Sequence, residues 1–101
     1  MGKNFRETLN EQLKDPEFKD IWDSNAVERE IVRMIINGRE ATGMTQKQLA
    51  ELTGISQADI SRYETGNGNP TVKTLNKIAN AFGQRLTIGT VQIQTKVPAY
   101  R

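Results

Sequence analysis

Two short helices that cannot stand alone are written between Thr45 and Glu64, and they constrain this chain more than any other feature. Thr45 caps Gln46-Lys47-Gln48-Leu49-Ala50-Glu51-Leu52, and Ser56 caps Gln57-Ala58-Asp59-Ile60-Ser61-Arg62-Tyr63-Glu64. Between them, Thr53-Gly54-Ile55 supplies a glycine where the chain turns through a left-handed conformation. Helices of about two turns are unstable in isolation, so both must bury apolar residues in a shared core. Leu49, Ala50, Leu52, Ile55, Ile60 and Tyr63 are suited to that core, and Ala50 is small where the helices cross closely.

The flanking chain supplies the rest of it. Asp15-Pro16-Glu17 reads as an N-cap, a proline at the first helical position and a first-turn acid. It opens a short helix over 16–22 that presents Phe18, Ile21 and Trp22. Ser24 is the expected cap of a longer helix carrying Val27, Ile31, Met34, Ile35 and Gly38 on one face, ended by Gly43. Gly66 and Asn67-Gly68-Asn69-Pro70 predict an ordered loop. Thr71 then caps a helix over 72–82 with Leu75, Ile78, Ala79 and Phe82 on one face and Gly83 at its end. After it the apolar period shifts to two, and Leu86, Ile88, Val91 and Ile93 predict a short strand that pairs with its copy in a second subunit. The expected fold is all-α with five helices: an N-terminal helical arm over 1–23, a domain over 24–84, and a C-terminal β-strand and tail over 85–101 that serves dimerisation.

Composition removes most catalytic chemistry. The 101 residues include no histidine and no cysteine, which excludes thiolate nucleophiles, Ser-His-Asp triads and zinc sites of the usual ligand set. No cofactor fingerprint is present, and the expectation is a protein without cofactor or metal that is not an enzyme. No apolar run reaches the ~18–20 residues of a membrane span, and the N-terminus does not read as a secretory signal. A cytoplasmic protein without membrane contact is expected. The net charge of +2 conceals an asymmetry: residues 1–23 sum to −2, and no acid follows Glu64. An acidic segment ahead of a basic remainder suggests two surfaces with different partners, although a solvated acidic helix beside an ordinary surface has the same charge pattern.

Two capped helices joined by a glycine turn make a helix-turn-helix, whose second helix is free to lie in a DNA major groove. Gln57, Ala58, Ser61 and Arg62 form one stripe on that helix. Glutamine suits the N6/N7 edge of adenine, arginine the O6/N7 edge of guanine, and an alanine methyl the methyl of thymine. Any short surface helix also carries a polar face. Asp59 can accept from cytosine N4, but the preferred reading is a first-turn acid favoured by the helix dipole. Ser56 is both a cap and a candidate phosphate donor. Lys47, Asn67, Asn69, Thr71 and Lys73 are candidates for the rim; Lys73 and Lys77 read equally well as solvated charges.

Thr45-Gln46, Leu49-Ala50, Gly54-Ile55-Ser56-Gln57, Ile60-Ser61, Glu64 and Gly66, with Pro70-Thr71, Leu75, Ile78-Ala79 and Phe82, resemble the lambda-repressor/Cro-like (XRE) helix-turn-helix domain. The resemblance covers residues 27–83. It implies that Gln57, Ala58 and Arg62 reach base edges, and that Gln46 bonds a phosphate and packs toward Gln57. It also implies that Arg39 pairs with Glu64 to fix the orientation of the second helix. A homodimer reading a palindromic operator on double-stranded DNA is the implied assembly.

The arm resembles a narrower group. Leu13-Lys14-Asp15-Pro16-Glu17-Phe18, followed by Ile21-Trp22, is similar to the leader of HigA-type antitoxins of type II toxin-antitoxin systems. That resemblance implies neutralisation of a RelE/HigB-like mRNA-cleaving toxin together with repression of the shared operon. Phe18, Ile21 and Trp22 are then candidate toxin-binding residues; packing of the three on the protein's own core is the alternative reading. A stand-alone repressor of the same family, with no toxin partner, is the competing expectation.

Overall fold

The computed structural model describes residues 5–92. Six helices follow in order: α1 (Phe5–Gln12), α2 (Pro16–Ser24), α3 (Ala26–Thr42), α4 (Gln46–Thr53), α5 (Gln57–Glu64) and α6 (Val72–Ala81). Their boundaries are set mostly by side-chain caps. Asp15 Oδ1 accepts from the Glu17 N–H at 3.0 Å, Ser56 Oγ from Asp59 at 3.1 Å, and Thr71 Oγ1 from Thr74 at 3.1 Å. At α4 the cap is reciprocal: Thr45 Oγ1 accepts from the Gln48 N–H at 3.1 Å, and Gln48 Oε1 accepts from the Thr45 N–H at 2.9 Å. Gly43 and Gly54 end α3 and α4 with φ of 72° and 78°, a conformation that costs a residue with a Cβ.

Four isoleucine and leucine side chains hold these helices together. Ile35 of α3, Leu49 of α4, Ile60 of α5 and Ile78 of α6 are each 0% exposed and form one cluster. Ile31, Met34, Met44, Ala50, Ile55, Tyr63, Ala81 and Phe82 pack around it. Two glycines permit close approach: the Phe82 ring lies against Gly38 of α3, and the Tyr63 ring against Gly68 of the loop before α6. Leu52, expected in the core, is 61% exposed.

The structure corrects the expected fold in three places. Among the described residues the helices number six rather than five, because α1 precedes the arm helix; its Phe5 and Leu9, with Leu13 beyond, make only a short i, i+4 signal. Ser24 does not cap α3: it is the last residue of α2, and its hydroxyl donates back to the Ile21 carbonyl at 2.8 Å. Asn25 takes the cap position without a side-chain bond. No strand occurs among the described residues, and 84–92 have no regular secondary structure. The Leu86 N–H is taken by Asn76 Oδ1 of α6 at 3.1 Å rather than by a strand partner. Of the alternating row, Leu86 is half-buried, Ile88 and Val91 are exposed, and Ile93 lies outside the described residues.

Gly38→Ala tests the α3–α6 contact. Alanine is favoured over glycine within a helix by about 1 kcal/mol, but its Cβ would run into the Phe82 ring, and overpacking costs about 1–3 kcal/mol. Steric conflict wins in this balance, so the variant is expected to melt several degrees below wild type in a thermal unfolding scan; an equal or higher Tm contradicts the packing described.

Candidate nucleic-acid interface

The buried face of α5 leaves a polar face outside. Ile60 is fully buried and Tyr63 packs against the core, which turns Gln57, Ala58 and Arg62 outward, all exposed, with Ser61 half-buried beside them. The four residues expected on one stripe are therefore on one face of one helix. Helix α4 packs behind it, seated in the core through Leu49 and Ala50.

Around this face the candidate residues differ in how much bonding capacity they retain. The Ser56 hydroxyl accepts the Asp59 N–H, and among the described residues no acceptor takes its own hydrogen. Thr71 is more committed: its Oγ1 accepts from the Thr74 N–H and lies 3.0 Å from the Thr74 hydroxyl. Asn67 is exposed, with its amide donating to Thr65 Oγ1 at 3.1 Å and its backbone N–H to the Arg62 carbonyl at 3.0 Å. Lys47, Lys73, Lys77 and Asn69 are exposed on the surrounding surface.

Gln46 is placed by a contact that spacing alone did not indicate. Its Nε2 donates to Glu64 Oε2 at 2.6 Å, a charge-assisted bond that a neutral glutamine partner does not match. One amide hydrogen remains for a phosphate oxygen. The same carboxylate meets Arg39, whose Nη1 stands 3.1 Å from Oε1 and 3.5 Å from Oε2. Glu64 is 8% exposed and Arg39 24%. One carboxylate at the end of α5 thus joins the start of α4 to the body of α3. Oε1 lies in charge contact without an aligned hydrogen bond, and Arg39 Nε is buried without a partner.

A second ion pair lies on the outward face. Arg62 Nη1 donates to Asp59 Oδ1 at 3.2 Å, with the side chains 60% and 43% exposed. Such an exposed i, i+3 pair contributes roughly 0.2–0.5 kcal/mol to the helix. The residue types at 59 and 62 announce the pair by spacing alone, and reading Asp59 only as a dipole partner missed it.

The arm carries its aromatic residues differently. Phe18 and Trp22 stack with ring centroids 6.2 Å apart and an interplanar angle of 20°. The Arg29 guanidinium of α3 covers the indole at 3.4 Å from its centroid and donates from Nη1 to the Trp22 carbonyl at 2.6 Å. Both rings are half-buried against their own chain but lie outside the core cluster, while Ile21 is exposed, as is Val27 at the start of α3. Among the described residues there is no group of metal-ligating side chains and no helix long and apolar enough to cross a membrane.

A capped two-turn helix with a polar outer stripe, braced by a second helix across a glycine turn, defines a helix-turn-helix regulator. The chain belongs to the helix-turn-helix family, whose pattern matches residues 35–88. It is 32% identical over 94 residues to an uncharacterised HTH-type transcriptional regulator of Haemophilus influenzae, covering 93% of this chain and 92% of that protein. It is 42% identical to the cryptic phage CTXphi transcriptional repressor RstR of Vibrio cholerae over 52% of this chain and 46% of the repressor. Among solved structures, a chain described as a toxin-antitoxin module from Streptococcus pneumoniae superposes with a TM-score of 0.60 and 31% identity, over 90% of this chain and 97% of the other. Family and fold are those of transcriptional regulators, not of catalytic enzymes.

The bridging carboxylate gives a direct test. Glu64→Ala leaves the Arg39 charge and the Gln46 amide without their acceptor, and because Arg39 keeps partial access to water the expected loss is about 2–3 kcal/mol, below that of a fully buried pair. Urea denaturation measures it, and a change below about 0.5 kcal/mol is the value expected of a surface substitution instead.

Proposed function

We propose that this chain is a sequence-specific DNA-binding repressor that also serves as the antitoxin of a HigA-type toxin-antitoxin pair. The observation that carries the DNA-reading half is the outward stripe Gln57, Ala58 and Arg62 on a helix whose opposite face is sealed by Ile60. Gln57 and Arg62 read base edges in the major groove. Ala58 contributes an apolar contact, and Ser61 supports the stripe. Ser56, Gln46, Asn67 and Thr71 fix register on the phosphates, which carries no sequence information itself but sets which bases the stripe meets. Arg39 and Glu64 orient α5 without touching DNA. A homodimer places two such helices on a palindromic operator, with residues 85–101 as the candidate dimer segment.

The antitoxin half is supported by likeness that extends well beyond the helix-turn-helix. The similarity to the toxin-antitoxin module covers 90% of this chain, whereas the family pattern begins at residue 35. The arm ahead of it is acidic, with Ile21 exposed and Phe18 and Trp22 half-buried. An apolar anchor within an acidic rim complements a basic protein surface, and RelE/HigB-like toxins, which cleave mRNA, are the class of partner proposed.

Two measurements separate the halves. Arg62→Ala is expected to weaken operator binding by about 1–3 kcal/mol and to relax preference at one base position; an equal loss on all sequences assigns Arg62 to phosphate instead. Removal of residues 1–23 is expected to leave operator binding intact while abolishing rescue of growth from a co-expressed RelE/HigB-like toxin. Full rescue by the truncated chain removes the arm from neutralisation, and failure of the full chain to bind or rescue leaves a stand-alone repressor, the reading that the likeness to the phage repressor favours.

A further inference from the structure

Arg62 stands on the outward face of α5, yet it is held. Its Nη1 donates to Asp59 Oδ1 at 3.2 Å, one helical turn toward the N-terminus. The carboxylate is not needed for the cap, because Ser56 accepts from the backbone N–H of Asp59 and not from its side chain. An acid on a face turned toward phosphate carries a repulsive cost, and the dipole advantage is equally available elsewhere in the first turn. The geometry points to a different use of the side chain.

We propose that Asp59 is a specificity-determining positioning residue, which holds the Arg62 guanidinium for a guanine edge and keeps it off the sugar-phosphate backbone. The role rests on the DNA reading proposed above. Arginine has large rotamer freedom and bonds phosphate as readily as a base. The pair uses a single N–H of Nη1, which leaves four donors, among them the Nε/Nη2 edge that makes two parallel bonds to O6 and N7. Tethering removes much of the rotamer freedom before DNA arrives. The negative charge of Asp59 disfavours the phosphate alternative, which is the sequence-independent one. Asp59 thereby discriminates without itself bonding guanine, partly by opposing the wrong contact.

The experiment begins with selection of DNA from a random pool by the full chain. The selected site, with each base varied in turn, is then titrated with wild type, Asp59→Ala, Arg62→Ala and the double variant. At the position where Arg62→Ala loses its preference for guanine, Asp59→Ala is expected to lose about five- to tenfold of that preference. It is also expected to bind unrelated DNA more tightly and with a steeper salt dependence. In the Arg62→Ala background the change at 59 is expected to leave base preference untouched, since it acts through Arg62. Asp59→Asn, which keeps the size of the side chain, is expected to lose preference in the same direction, and serves if the alanine variant unfolds. Unchanged guanine preference with uniformly tighter binding overturns the role and leaves Asp59 a like charge beside phosphate. So does a uniform loss in Arg62→Ala. A wild-type chain that selects no sequence overturns the DNA-reading function itself, and the role of Asp59 with it.

Discussion

The structure depends on four side chains meeting at one point, one from each helix between α3 and α6. Ile35, Leu49, Ile60 and Ile78 are wholly removed from water, and each such burial is worth about 1.5–3 kcal/mol against exposure. Helices α4 and α5 have eight residues apiece, too few to be stable alone. Their existence is therefore a consequence of the cluster rather than a contributor to it. The exposed stripe on α5 follows in turn: with Ile60 fixed inward, helical geometry carries Ala58 and Arg62 to the opposite side, and Gln57 stays exposed as the first residue of the helix.

A second constraint refines what burial alone leaves loose. An apolar contact is non-directional, so Ile60 sets the depth of α5 better than its rotation. Glu64 supplies direction at the far end of the same helix, where its carboxylate meets Arg39 of α3 and Gln46 of α4. Ion pairing of this kind adds little net stability compared with an apolar substitute. Its value lies in geometry, because a carboxylate bonded from two helices admits few arrangements. Gln46, proposed above as a phosphate contact, is also part of this bracing.

Much of this was legible in the sequence, and the reasons are local. Caps at Asp15, Thr45, Ser56 and Thr71, and left-handed glycines at 43 and 54, act within three or four residues, so neighbours in sequence suffice to read them. Where the reading failed, a competing local bond or a missing neighbour decided. Ser24 is a good cap residue, yet its hydroxyl bonds back to Ile21 inside α2. Leu86, Ile88 and Val91 alternate as a strand does, but alternation states which face is apolar and not whether a second strand is present. Asn76 takes the Leu86 N–H, a bond ten residues distant that no periodicity announces. The bond from Gln46 to Glu64 spans eighteen residues, and spacing does not announce it either.

The proposed division of the chain into a reading surface and an arm agrees with how α2 is attached. Arg29 closes over Trp22 from α3 and bonds its carbonyl, so a cation on the indole ties α2 to α3 outside the core cluster. An attachment of that kind is separable: the side chains that make it are absent from the set that holds α5. A partner that engaged Ile21 would contact residues on α2 without disturbing Ile60 or Glu64, and DNA on the α5 stripe would leave the ring pair untouched. Helix α3 meets both sides: it carries Arg29 against the arm, and Ile35 and Arg39 against the core and Glu64 of α5.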